Sequence, residues 1–260
     1  MTSLAGLPLR ERVALVAGAS KGIGAAVAEA FAAAGAAVVL GARDMAALTG
    51  VAGRIEAAGG KAIAVQTDVS DPESIRNLVD QALSGFGRLD AAFNNATDGP
   101  KPAPLADIDV AGFDRGIATN VRGTFLGMKY QIPAMLRGGG GAIVNMASLA
   151  GLTGVASMAA YVAGKAGIIG LTKVAALDYA DQGIRVNVVA PGTILTHRLE
   201  HAGDLAQRGA AMATPMRRIG TVTEVADTVL WLCSAQSAYV TGAVIPLDGG
   251  QSAGLKPPRP

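Results

Sequence analysis

The sequence predicts an α/β fold in which small-residue helices cover a parallel sheet. Three observations point there. Half of the 260 residues are hydrophobic and only 4% are aromatic, with alanine, valine and glycine prominent. Short apolar runs recur along the chain, bounded by turn residues and separated by helical stretches. The first of these runs ends in a glycine-rich turn that opens an alanine-rich helix, the local context of a phosphate site. The length suits one large domain over residues 1–260, and no internal repeat marks a second.

Val13-Ala14-Leu15-Val16-Ala17 reads as a strand buried on both faces. Gly18-Ala19-Ser20-Lys21-Gly22-Ile23-Gly24 follows, then a helix to about Ala34. Glycines let backbone approach a pyrophosphate, and the helix start offers free N–H groups and a positive dipole end. Val38-Val39-Leu40 is the second strand, followed by Gly41-Ala42-Arg43-Asp44. After such a strand an acid bonds the ribose of NAD, whereas an arginine accommodates the 2′-phosphate of NADP. Asp44 sits late and reads as a cap of the next helix. Arg43 and Lys21 supply two cations, so the residues favour NADP(H), with NAD(H) the other choice.

Ala62 to Gln66 reads as strand three, ending at Asp68-Val69. Asp71-Pro72-Glu73 starts the next helix. Leu89 to Phe93 is strand four and runs into Asn94-Asn95-Ala96-Thr97, then a Gly/Pro-rich loop from Asp98 to Pro104. One long helix carries Asn120 and ends near Leu136. Ala142 to Met146 is strand five, with Ser148 just past its end, on the rim where open α/β sheets bind ligands. A helix from Ala159 to Tyr179 precedes strand six, Ile184 to Val189, which Pro191-Gly192 stops. Residues 194–219 read as a polar insert, Val222 to Leu232 as the last helix and Ala243 to Leu247 as the last strand. The tail, 254–260, is expected to be extended and flexible.

Several function classes drop out. A formal charge of +2 gives no electrostatic case for nucleic acid or a membrane surface. The single cysteine, Cys233, excludes an internal disulfide and a Cys-rich metal site, and reads as a small core residue. Met1 to Leu9 lacks the pattern of a signal peptide. No apolar stretch approaches ~18 residues without charge or glycine, so no membrane helix is expected. The protein is expected to be soluble and cytoplasmic. His197 and His201 stand at i, i+4 without a third ligand nearby, so they read as an exposed helix face and no metal is expected.

Tyr161-Val-Ala-Gly-Lys165 is a candidate for chemistry, although by its spacing alone such a pair on an alanine-rich helix reads as a surface pair. At this spacing both side chains leave one helix face, one turn apart. A Lys ammonium beside a phenol favours the phenolate and moves the phenol toward useful acid/base strength.

Over nearly its whole length the chain resembles the short-chain dehydrogenase/reductase family. The matching stretches are Gly18-Ala-Ser-Lys-Gly-Ile-Gly24, Asp68-Val69, Asn94-Asn95-Ala96, Asn120, Ser148, Tyr161-Val-Ala-Gly-Lys165 and Pro191-Gly192. The interval of 13 residues from Ser148 to Tyr161 is also typical. The resemblance implies a Rossmann-like three-layer sandwich with a seven-stranded parallel sheet, order 3-2-1-4-5-6-7. It implies Tyr161 as general acid/base, with Lys165 tuning it and bonding the nicotinamide ribose. Ser148 would hold the substrate oxygen and Asn120 would anchor a relay water. Gly18, Ser20, Lys21, Gly22, Ile23 and Gly24 would form the phosphate turn. Asp68 and Val69 would face the adenine; Asn94 and Ala96 would line the adenosine ribose side. Pro191, Gly192, Ile194 and Thr196 would approach the nicotinamide. The chain departs from the family pattern at Ala17, at Ala147 and at Thr97, which replaces a glycine. A β-branched residue dislikes positive φ, so a shifted loop near the cofactor is expected there.

Hydride transfer puts negative charge on a carbonyl oxygen; a Ser and a Tyr hydroxyl converging on it supply a proton and orientation. The uncharged loop from Leu149 to Ala160 points to a small, neutral, partly apolar carbonyl or secondary alcohol. Reduction of 3-oxoacyl groups on an acidic carrier protein is an alternative. Leu126 and Leu177 stand where that branch places arginines, which lowers this reading, although Arg122, Lys129 and Lys173 are near. A second alternative is a dinucleotide-binding protein without turnover, if Thr97 spoils cofactor seating. The resemblance also implies a homotetramer or homodimer built on the helices holding Asn120 and Tyr161.

Overall fold

The computed structural model describes residues 7–254. Its first strand, β1 (Val13–Ala17), is buried at every position. Alternate side chains enter opposite layers: Ala14 and Val16 join one apolar cluster, Val13 and Leu15 the other. Then come α1 (Gly22–Ala33), β2 (Ala37–Ala42), α2 (Met45–Ala57), β3 (Lys61–Gln66), α3 (Pro72–Phe86) and β4 (Ala91–Asn94). α4 (Val110–Ile117), a π turn at Ala118–Arg122 and α5 (Gly123–Arg137) make one interrupted helix before β5 (Gly141–Met146). α6 (Ala159–Tyr179), β6 (Ile184–Pro191), α7 (His197–Glu200), α8 (Asp204–Ala213), α9 (Val222–Cys233) and β7 (Val244–Leu247) complete the chain.

All seven strands lie parallel in one sheet, order β3-β2-β1-β4-β5-β6-β7. This is the Rossmann-like order that the resemblance implies. α1, α2 and α9 cover one face through Val27, Phe31, Leu48, Val51, Val225 and Val229. α3, α5 and α6 cover the other through Ile75, Leu78, Leu126, Ile132 and Ala175. The chain reverses direction across the sheet between β1 and β4, so a crevice opens at their C-terminal ends.

The structure moves several sequence-derived boundaries. Strand four starts at Ala91 rather than Leu89, because Asp90 is held at the strand's foot by Arg12, Arg88 and the Val13 amide. Strand six runs on through Pro191, which pairs with Leu247 of the short edge strand β7. The 194–219 excursion holds α7 and α8 and is pinned at its base, where Leu195 N donates to Gly220 O and Gly220 N to Thr193 O. α6 and its extension to Gln182 match a membrane-crossing helix in length and apolar composition. Here α6 lies against β5 and β6 and turns Ile168, Thr172, Ala175 and Ala176 inward. Residues 255–260 of the expected tail lie outside the described residues.

Candidate active site

At the crevice the glycine turn is built by close approach. Gly18 has φ +88°, and a Cβ there would stand 2.7 Å from the Ala96 nitrogen. A Cβ at Gly24 would stand 2.0 Å from the Gly18 carbonyl oxygen. Asn95 Nδ2 donates to that same oxygen at 2.8 Å and locks the turn from the β4 side. Lys21 is the N-cap residue of α1 and makes no side-chain cap bond, so the first helical N–H groups stay free of one. The cleft in front of them, about 460 Å³, is lined by Gly18, Ser20, Lys21, Gly22 and Ile23. Arg43, Asp68, Val69, Ala96 and Thr196 also line it.

On the adenosine side Asp44 caps α2, its Oδ1 accepting from Ala47 N at 3.0 Å. Arg43 is exposed, and its Nη2 lies 3.8 Å from Asp98 Oδ2. The Ser70 hydroxyl and amide, with Arg43 a smaller influence, hold the Asp68 carboxyl below the usual carboxylate range. Asn94, expected on the adenosine ribose side, keeps its side chain out of the cleft lining. Its side chain is buried away from the cleft, bonded to Gln131 and Asn145. The last residue of the strand points into the helical layer, and Asn95, just beyond it, reaches the turn. Ile194 also turns inward, into the apolar cluster under α1 and α9.

Ser148, Tyr161 and Lys165 lie beyond the cleft's own lining, on the β5–α6 side. Lys165 Nζ is 5.5 Å from the Tyr161 ring centroid and donates to Met146 O at 2.9 Å. Burial pushes the Lys165 ammonium down to about 7. Tyr161 and Ser148 are half-buried. Ser148 Oγ accepts from Ala150 N at 3.2 Å, and its own bond to Pro191 O is 3.5 Å long. The turn after Ser148 packs on α6 at Lys165, since a Cβ on Gly151 would stand 2.8 Å from that residue's carbonyl carbon.

Asn120 is fully buried in the π turn. Its Nδ2 donates to Asp98 O at 2.6 Å and Gly116 O at 2.8 Å, and its Oδ1 accepts from Thr97 Oγ1 at 2.9 Å. α6 packs directly against it: a Cβ on Gly164 would stand 2.9 Å from Asn120 Cβ. Thr97 avoids positive φ, for the only described non-glycine residues with positive φ are Glu11, Ser157 and Arg217.

Sequence reasoning did not name Ala42, Thr67, Asn95, Thr97, Thr119 or His197 as site residues, yet all line the cleft. Asn95 and Thr97 were within reach, flanking Ala96. The His197 and His201 rings stack at 4.0 Å, and His201 Nδ1 contacts His197 O at 2.7 Å. A larger hollow of about 690 Å³ opens at the opposite end of the sheet, under Asp90, Gly140 and Arg185, away from these groups.

Comparison with known proteins agrees with this geometry. A family model described as Enoyl-(Acyl carrier protein) reductase matches residues 18–252. The A-factor type gamma-butyrolactone 1'-reductase (1S-forming) of Streptomyces virginiae is 42% identical over 257 residues, with 96% of this chain and 98% of that protein covered. Cyclohexanol dehydrogenase of Acinetobacter sp. (strain SE19) is 38% identical over 238 residues, covering 92% of this chain and 94% of that protein. The crystal structure of levodione reductase superposes with a TM-score of 0.91 at 33% identity, covering 95% of this chain and 100% of that one. The chain belongs to the short-chain dehydrogenase/reductase family, whose members bind a nicotinamide cofactor.

Proposed function

We propose that the protein interconverts a small ketone, or a related carbonyl or imine, and a secondary alcohol, using NADP(H), with Tyr161 as general acid/base. The Tyr161–Lys165 pair carries this reading: a buried amine held 5.5 Å from a half-buried phenol ring, on a helix the sheet makes rigid. The residues present fit a dinucleotide. α1 has no side-chain cap, and a Cβ at Gly22 would meet nothing nearer than the Thr196 methyl at 3.8 Å. When bound, the nicotinamide supplies or takes the hydride, and the chain supplies one proton and orientation.

Tyr161 holds that proton beside the reacting oxygen. Ser148 Oγ already accepts from Ala150, and its 3.5 Å outgoing bond is weak, so its hydrogen can turn to a substrate oxygen. An ammonium at Lys165 offsets negative charge on the phenol oxygen, and a proton held near neutrality can be passed on. Both amide hydrogens of Asn120 are committed. A relay water would therefore bind a backbone carbonyl freed by the π turn rather than a donor of the Asn120 side chain.

NADP(H) is favoured because Lys21 and Arg43 both line the cleft while the Asp44 carboxylate is committed to its cap. A dianionic phosphate would compete well for Arg43 against the Asp98 carboxylate, whose contact at 3.8 Å is loose. Leu152 and Val155 are exposed on the uncharged loop, which suits an apolar substrate. Relatives named for oxidation of ring alcohols, cyclohexanol among them, support a small ring alcohol, or its ketone, as substrate. Phe125 on α5 and Val174 and Leu177 on α6 are exposed apolar residues, which supports assembly through these helices.

A panel of cyclic ketones with NADPH, followed by loss of the reduced nicotinamide absorbance, tests the reading. Turnover of at least one ketone is expected; tight NADPH binding without turnover of any ketone, alcohol or imine would contradict it. The acyl-carrier alternative finds little support, since Leu126 is buried and Leu177 carries no charge to meet an acidic carrier. The non-catalytic alternative loses its argument at Thr97, which is unstrained and bonded.

A further inference from the structure

From the joint between the cleft wall and the interrupted helix we infer that Thr97 is a positioning residue for proton transfer: its hydroxyl fixes the Asn120 side chain and, through it, the π turn. This rests on the reaction proposed above. The bond directions are determined by the surroundings. Two carbonyls, of Asp98 and Gly116, face one end of the Asn120 amide, so that end is the NH₂. Oδ1 therefore faces Thr97, and the threonine hydroxyl must be the donor. Three bonds hold a side chain with no exposure to water.

A glycine, the residue the family pattern has at this position, could not supply that hydroxyl. Thr97 also lines the cleft, and the next residue, Asp98, contacts both Arg43 and Asn120. Its carboxylate pairs with Arg43 on the adenosine side, and its carbonyl accepts from Asn120. On the far side Asn120 lies against α6 at Gly164, the residue before Lys165. The segment 97–98 thus joins the dinucleotide wall to the helix that carries the proton donor. Without the Thr97 hydroxyl, Oδ1 of Asn120 becomes a buried acceptor with one partner fewer, and the π turn loses its fixed geometry.

The test compares Thr97→Val, Thr97→Ser and Thr97→Gly with the wild type. Loss of one neutral hydrogen bond should lower kcat about three- to tenfold in Thr97→Val and Thr97→Gly. Because Thr97 also lines the cleft, the NADPH dissociation constant is measured alongside and should change by a smaller factor than kcat, and Thr97→Ser should recover most of the kcat. Equal kcat in all four proteins, or a loss confined to NADPH affinity, overturns the inference. If Thr97→Val fails to fold, Thr97→Gly carries the same comparison. Amide hydrogen exchange over residues 116–124 reads the joint without turnover. Faster exchange in Thr97→Val and not in Thr97→Ser supports the inference, and unchanged exchange overturns it. A wild type that turns over no substrate defeats the proposed reaction, while the exchange experiment still decides the role of Thr97.

Discussion

Lys165 shows how burial turns a surface charge into a poised proton site. Its ordinary value is 10.5, and in the folded chain burial brings it to about 7. Between these two pH values the unfolded chain holds a proton that the folded chain has released. Stability therefore rises with pH in that window, by about 1.4 kcal/mol per pH unit, and is lost as pH falls toward 7. Lys165→Met removes this slope. Urea denaturation of both proteins from pH 7 to 9 should show the stability gap moving in favour of the wild type as pH rises. Parallel curves would mean that the amine keeps its ordinary affinity for protons. Residue identity was the most legible level of the sequence, and residue direction the least. Asn94 and Asn95 are adjacent and chemically identical, yet one bonds Gln131 inside the layer and the other the Gly18 carbonyl. Only the end point of β4 separates them. Thr97 could be seen as a departure, but its partner lies 23 residues away and no local pattern announces it.

Among the elements, the glycine turn is tight enough for one methyl group to matter. Gly24→Ala would set a carbon 2.0 Å from the Gly18 carbonyl, a backbone atom that cannot step aside. The clash outweighs the ~1 kcal/mol that alanine offers over glycine in a helix. A net loss of about 1–3 kcal/mol is expected, with at least tenfold weaker dinucleotide binding. Gly53, inside α2, has nothing within 4 Å of its would-be Cβ. There the same substitution should stabilise by about 0.5–1 kcal/mol. Thermal melts of the two variants should move in opposite directions; the same sign for both would refute this account of the turn. Strands and helices were legible because apolar runs and caps are local signals, as at Asp44 and Asp71. The π turn was not, since one extra residue in the helical ladder leaves the apolar pattern nearly unchanged. The foot of β4 was misplaced because Asp90 answers to Arg12 and Val13, far away in sequence.

At the scale of the molecule, the sheet order brings residues from both ends of the chain to one rim. Gly18, Arg43, Ala96 and Thr196 face one cleft although nearly 180 residues separate the first from the last. Strand order could not be read from the strands alone; it came with the family resemblance, which the topology bears out. The choice of cofactor is a property of this whole cleft. Titrating NADPH and NADH into the wild type and Arg43→Ala should show a wild-type preference for NADPH. The variant should lose about tenfold in NADPH affinity and little in NADH affinity. Equal wild-type affinities would remove the role given to Arg43. The central claim, proton transfer by the Tyr161 phenol beside a bound nicotinamide, is tested most directly by Tyr161→Phe. NADPH binding and ketone reduction would be measured on the same preparation. The account expects wild-type affinity for NADPH with turnover lowered by at least about a hundredfold. Full turnover in this variant would contradict it.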